Sequence, residues 1–159
     1  MTEQNINTKS QLAKLLATEN ISFQHSSQAK TAYFDVKNRL LVLPVWKNVS
    51  NDLYDMLIVH EVGHALDTPA DAWLQAIKDI CVKVHGDDKN QRAQMAIKGF
   101  LNVIEDARID KRQKRRYPGS RRNYVNGHKD LFDRDFFNLK GRSPNDLSFI
   151  DRILSLIHI

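Results

Sequence analysis

The chain is poor in the residues that staple, break or anchor a fold. Its 159 residues include one cysteine, four prolines and six glycines. A lone thiol, Cys81, closes no internal disulfide, which excludes a disulfide-framework domain and suits a reducing compartment. The longest apolar run, Leu40 to Trp46, has seven residues and contains Pro44. A bilayer span takes about 20 apolar residues, so a membrane helix is not expected. The first residues, Met-Thr-Glu-Gln-Asn, carry an acid and no apolar core, so no secretory leader is read there and a cytoplasmic location is expected. There is no internal repeat and no low-complexity linker. What remains is 42% hydrophobic and 27% charged, the composition of one ordinary folded domain able to bury its own core.

Charge is present but unevenly placed. Of 24 basic and 19 acidic side chains, residues 1–98 hold 11 of each and residues 99–159 hold 13 basic and 8 acidic. Eight bases fall between Arg108 and Arg122. The run reads as a nucleic-acid footprint, or else as a solvated helix face or a surface meeting an acidic partner. The second is preferred and nucleic acid disfavoured, because spaced aromatics are few.

Periodicity and turn chemistry place the elements. Ser10 or Thr8 can cap a short helix carrying Leu12, Leu15 and Leu16. Ile21–Gln24 and Thr31–Val36 read as strands, and a turn at Asp35–Arg39 leads into Leu40–Val45, which predicts a small antiparallel hairpin. Ser50, Asn51 and Asp52 offer cap chemistry for a helix over 52–66. Further helices are expected over Asp71–Val84, ended by Gly86, and over Asp88–Arg116, stopped by Tyr117-Pro118-Gly119. Two more are expected over Gly127–Leu139 and Asn145–Leu154. The class is α+β, a small sheet followed by a mostly helical body.

The chemistry lies in His60-Glu61-Val62-Gly63-His64, an HExxH on a helix. Residues four apart share a helical face, so both imidazoles can address one ion. Zinc takes imidazole nitrogen at about 2.0–2.1 Å and favours tetrahedral sites. Glu61 could take a proton from water on the metal and pass it to a leaving amine. Leu57, Ile58, Val59, Ala65 and Leu66 imply a buried helix, and Gly63 leaves room for a second helix to come close. Two histidines need a third ligand. A metzincin has glycine three and histidine six residues past the second histidine; Asp67 and Ala70 stand there and exclude that class. Glu105, among Phe100, Leu101, Val103 and Ile104, is the preferred third ligand, since an acid in so apolar a segment must be paired or bind metal. Asp106 is the alternative, as a ligand or as a partner of a histidine N–H or of Arg108.

Other candidates carry less. His25 and His128 sit in polar stretches and read as surface residues, and His85 as a cation closing a helix. Asp67 and Asp71 could orient a histidine or cap a helix. Cys81 shares a face with Ile77 and Ile80 and reads as core. Tyr117 or Tyr124 could donate to an oxyanion.

The segments Leu57–Leu66, Phe100–Ile109 and Arg116–Gly119 together resemble a family of metallopeptidases encoded by large tailed bacteriophages and some bacteria. The Glu105-Asp106-Ala107-Arg108 stretch, the basic helix and Tyr117-Pro118-Gly119 are similar to cobaltochelatase CobT-type proteins, which carry a von Willebrand A-like domain and work with an AAA+ ATPase. The resemblance spans roughly residues 30–153, and its specific part is the HExxH with the later Glu-Asp-Ala-Arg. It implies a zincin-like, gluzincin-type fold with the HExxH helix packed on the Glu-bearing helix. It also implies zinc held by His60, His64 and Glu105, and Glu61 as general base. The expected function is peptide or protein hydrolysis in the cytoplasm, the host's if the chain is phage-encoded. The alternative is a non-catalytic metal module partnering an AAA+ ATPase. No DxSxS motif of a von Willebrand A region is found, so residues 1–153 read as a C-terminally truncated domain. Residues 154–159, Leu-Ser-Leu-Ile-His-Ile, match one frame of a sequencing-library transposon end and read as a non-native tail, which gives His158 no weight.

Overall fold

The computed structural model describes residues 3–17, 21–138 and 140–148. The 154–159 tail and most of the helix expected over Asn145–Leu154 lie outside them. The described elements are α1 (Glu3–Leu16), β1 (Ser22–Ser26), β2 (Tyr33–Asp35), β3 (Leu40–Pro44), α2 (Asn51–Asp67), α3 (Ala70–His85), α4 (Gln91–Arg116) and α5 (Arg121–Asp133). The class is α+β, as the sequence implied. Two compact units divide the chain: one takes the residues up to Asp67 with Ile109–Arg142, the other Thr68–Arg108 and the residues from Ser143. No helix of the described residues is long and apolar enough to cross a membrane.

In the first unit, the three strands form one sheet ordered β1-β3-β2. The expected hairpin is there, with Tyr33 opposite Val42 and Asp35 opposite Leu40 in antiparallel register. β1 adds on the far side of β3 in parallel, from Ser22 opposite Leu40 to Ser26 opposite Pro44. The sheet is therefore mixed, not the small antiparallel one the hairpin alone suggests: β3 pairs on both edges, so it is the strand with the continuous buried run Leu41, Val42 and Leu43.

Helix α2 is the centre of this unit. Ser50 Oγ accepts from the Leu53 amide at 3.1 Å, the cap its position suggested. Leu53, Tyr54, Met56, Leu57, Ile58, Val59, Val62 and Ala65 are all buried, so the helix is apolar nearly all round. Arg39 Nη2 donates to the Ala65 carbonyl at 3.0 Å, covering an orphan acceptor near the C-terminus. Helix α5 packs on α2 through Gly127, where an added Cβ would meet Met56 Sδ at 2.8 Å and Leu53 Cα at 3.2 Å. Polar pairs run beside that contact: Asn126 Nδ2 donates to Asp52 at 2.6 Å and Asn123 Nδ2 to Asp55 at 3.2 Å. The pairing of rising with falling numbers makes the two helices antiparallel.

Several element boundaries depart from expectation. Thr8 and Ser10 lie inside α1 rather than capping it. Helix α5 covers Arg121–Asp133, not Gly127–Leu139. Pro118–Ser120 makes one 3-10 turn that feeds directly into α5, so the Pro-Gly pair starts a helix as well as stopping one. The helix ends early because Asp135 turns to φ 54° and the Phe136 amide reaches back to Leu131 at 3.0 Å. Of the last expected helix, the described part is a 3-10 turn, Pro144–Asp146, closed by a capping box from Ser143.

The second unit is helical. Gly86, at φ 84°, ends α3 with its amide bonded to the Val82 carbonyl. Asp87 accepts from the Lys89 and Asn90 amides, and Asn90 Oδ1 accepts from the Ala93 amide at 3.0 Å, so α4 starts at Gln91 rather than Asp88. Cys81 is fully buried, as expected of a core thiol.

Candidate metal centre

The two histidines of the HExxH do face one another. His60 Nε2 and His64 Nε2 lie 3.2 Å apart, their rings set nearly edge to face. Two nitrogens bound about 2.05 Å from one tetrahedral ion stand roughly 3.3–3.4 Å apart, so the spacing fits a shared cation with little movement.

A carboxylate outside the motif fixes which nitrogen of His60 is presented. Asp110, near the end of α4, is 2% exposed and accepts from His60 Nδ1 at 2.7 Å. Burial alone would raise the pKa of Asp110, but the His60 hydrogen bond and charge, with Lys114 and Tyr124, outweigh it and hold the group below its ordinary value. An ionised carboxylate only accepts, so in neutral His60, the form that can bind a metal, the proton sits on Nδ1 and the lone pair on Nε2, towards His64. Such a partner both orients a ligand and raises its basicity. Asp110→Asn is therefore expected to weaken metal affinity about 10–100-fold, read by titration against a zinc-sensitive dye; unchanged affinity would show that His60 orients itself.

Glu61 is 7% exposed, buried in the same unit. Tyr124 of α5, 2% exposed, lies close enough to Asp110 and Glu61 that burial first, and then both carboxylates, push its phenol pKa far up. Its proton stays on through any ordinary pH. One turn later, the His128 side chain is 12% exposed and its Nε2 lies 3.9 Å from Asp110 Oδ2. His128 is therefore not the surface residue that its polar stretch suggests. His25 is corrected likewise: it is partly buried, its Nε2 has no hydrogen-bond partner, and burial lowers its pKa. Tyr117 donates its hydroxyl to the Leu16 carbonyl at 2.7 Å and so ties α1 down.

The acids singled out in the sequence have definite places. Glu105 is 8% exposed, as its apolar segment implied. Its carboxylate takes Arg108 Nε and Nη2, each at 2.7 Å, and the Thr68 hydroxyl at 2.5 Å. Asp106 accepts from Asn102 Nδ2 at 3.0 Å, one turn earlier on α4. Asp106 also stands one turn before Asp110 on that helix, so the two share a face. Asp67 orients no histidine in the bonds it makes with Arg116, at 2.7 and 3.0 Å, and with Arg112 at 3.0 Å; these cations hold its pKa down against the effect of burial.

Asp110 and His128 are the residues the sequence reading missed. The signal for Asp110 was present: it is the one acid in the basic stretch after Arg108, four residues from Asp106.

No family model, curated protein or solved structure matches this chain. The functional reading accordingly rests on the side chains.

Proposed function

We propose that the chain is a zinc-dependent metallopeptidase of zincin-like design, in which His60 and His64 hold the ion and Glu61 is the general base. The observation that carries this is the pair of imidazole Nε2 atoms at 3.2 Å, with His60 locked by Asp110 in the tautomer a ligand needs. For the third ligand we take Asp106 ahead of Glu105, because Asp106 stands one turn before Asp110 on α4, and Asp110 is the residue bonded to His60. Glu105 already spends both oxygens on Arg108 and Thr68.

Zinc bound to these residues would supply Lewis acidity for a peptide carbonyl and for water, whose pKa zinc brings to near 7. The protein does the rest. Glu61, buried beside the ligands, accepts the proton of the attacking water and delivers it to the departing amine. Tyr124 keeps its phenolic proton and can donate it as a hydrogen bond to negative charge growing on the carbonyl oxygen. Asp110 keeps His60 in register throughout.

Zinc titration of three proteins tests the ligand set. The wild type is expected to take about one zinc, and Asp106→Ala to lose about 10–100-fold or more in affinity, with Glu105→Ala near wild type. Loss in Glu105→Ala alone would transfer the role to Glu105. A wild type that takes no zinc, cobalt or manganese would overturn the reading.

A further inference from the structure

We infer that His128 is a positioning residue of the metal centre: from α5 it braces the second oxygen of Asp110 and so keeps that carboxylate aligned on His60. This rests on the metallopeptidase reading and adds to it a residue that acts through Asp110. The Asp110 carboxylate meets two histidines from two different helices. Its Oδ1 takes the His60 Nδ1 proton at 2.7 Å, and its Oδ2 lies 3.9 Å from His128 Nε2. The first contact alone leaves the carboxylate plane loosely set, since the last torsion of an aspartate is broad and two-fold. A contact at the other oxygen, from a separate helix, restricts that rotation.

Packing alone would not select a histidine here. Tyr124, Gly127, His128 and Leu131 stand at i, i+3, i+4 and i+7, the stripe that α5 turns inward. Tyr124, Gly127 and Leu131 are buried, and the His128 side chain is 12% exposed. An apolar residue would fill that position without desolvation cost, whereas an imidazole there needs polar company. Gly127 sets its depth. An added Cβ at Gly127 would meet Met56 Cβ at 3.1 Å and Leu53 Cα at 3.2 Å, so α5 lies close against α2. That approach brings the next residue, His128, to Asp110.

Charge balance does not by itself account for His128. Lys114 stands one turn after Asp110 on α4, and its charge, after the His60 hydrogen bond and charge, already favours the ionised carboxylate. What Lys114 lacks is direction. An ammonium on a flexible stem is a point charge, whereas an imidazole holds its two nitrogens in a rigid ring, and one of them faces Asp110 Oδ2. At 3.9 Å that contact is longer than a hydrogen bond, which sets its expected weight below that of Asp110 itself.

The test compares zinc affinity in the full chain carrying His128→Gln, His128→Met or no change. Gln keeps an amide N–H near the place of the imidazole Nε2; Met has a similar length and no donor. Gln is expected to bind zinc within about threefold of the wild type and Met about tenfold more weakly, the low end of what a ligand's partner contributes. In an Asp110→Asn background the Met change is expected to cost less than about twofold, since its route to His60 is already cut. Proton NMR of the zinc-loaded protein, with isotopically labelled histidine, gives a second readout. The His60 Nδ1 proton is expected to exchange slowly with water in the wild type and the Gln variant, and faster in the Met variant. Should the Met variant lose its helical circular dichroism, His128→Asn takes its place; its shorter amide falls short of Asp110, and it is expected to bind zinc as weakly. Equal zinc affinity of the Gln variant and the donor-less or shortened one would overturn the inference and leave the metal centre standing. So would the full cost of the Met change persisting beside Asp110→Asn, which would give His128 a role independent of Asp110. A wild type that takes no zinc would bring down the metallopeptidase reading and this inference together.

Discussion

Glu61→Gln is expected to keep about one zinc per chain and to lose peptide hydrolysis by roughly 10²–10⁴-fold, the range general-base catalysis usually contributes. The substitution is nearly isosteric. An amide still fills the buried position but takes up no proton, so binding and chemistry separate. The side chain is 7% exposed, which keeps bulk water from supplying a substitute base at the same spot. Neutral Gln also removes one of the carboxylates that push the Tyr124 phenol upward, a change that leaves Tyr124 protonated and so does not confound the result. Mass-spectrometric cleavage of a mixed peptide library, with metal content measured on the same preparation, checks both halves. Wild-type cleavage by the Gln variant would remove Glu61 from the mechanism. Lost zinc would instead make Glu61 part of the metal's support.

How much of this was readable in advance depends on whether a feature is local. The HExxH helix announces itself through spacing, through Ser50 at its cap and through its apolar flanks, and each of those is a property of adjacent residues. The stop at Gly86 is local too, a glycine in the left-handed region that ends α3. The parallel pairing of β1 with β3 is not local, because β2 lies between them in sequence and nothing in Ser22–Ser26 names its neighbour. Gly127 looked like a helix start because glycine so often marks ends. It sits inside α5, where the small residue lets α5 close on Met56 and Leu53.

The candidate site divides the same way. His60, Glu61 and His64 are legible from a five-residue pattern. Asp110, bonded to His60 across fifty positions, is legible only once two helices are known to touch. His128 was hidden for a different reason. Binary patterning assigns polar stretches to solvent, but in Asn126-Gly-His-Lys129 the backbone of Gly127 packs on Met56 and the His128 side chain lies near Asp110. Glu105 marks another limit of sequence: its burial follows from its apolar neighbours, but a buried carboxylate is satisfied as well by Arg108 and Thr68 as by a metal.

Gly63→Ala is the substitution expected to damage the fold most for its size. Gly63 occupies the xx of the HExxH, and the last turns of α4 cross it. An added Cβ would stand 2.2 Å from Ile109 Cγ2 and 2.7 and 2.9 Å from the terminal amide group and Cγ of Gln113. Neither neighbour can give way easily, since both are fully buried. Gln113, with its amide turned so that oxygen faces the Gly63 amide at 3.0 Å and Arg116 Nη1 at 3.2 Å, would lose buried hydrogen bonds by moving. Carbon atoms rest about 3.5–4.0 Å apart, so the helices would have to separate by over ~1 Å. Against this, replacing a mid-helix glycine by alanine gains about 0.5–1 kcal/mol. Overpacking costs typically about 1–3 kcal/mol and sometimes more; an approach of 2.2 Å puts it at the upper end, so the balance is a loss of about 2 kcal/mol or greater. For a chain of this size that is a fall in Tm of roughly 2–4 °C per kcal/mol. Gly99→Ala is the control, a helical glycine with nothing within 4 Å of its added Cβ, and it is expected to raise Tm. Because Ile109 and Gln113 flank Asp110, the Gly63 variant is also expected to bind zinc more weakly as Asp110 is drawn away from His60. A Gly63→Ala protein with wild-type Tm and wild-type zinc affinity would mean that α2 and α4 do not meet at this glycine, and the orientation of His60 by Asp110 would fall with that contact.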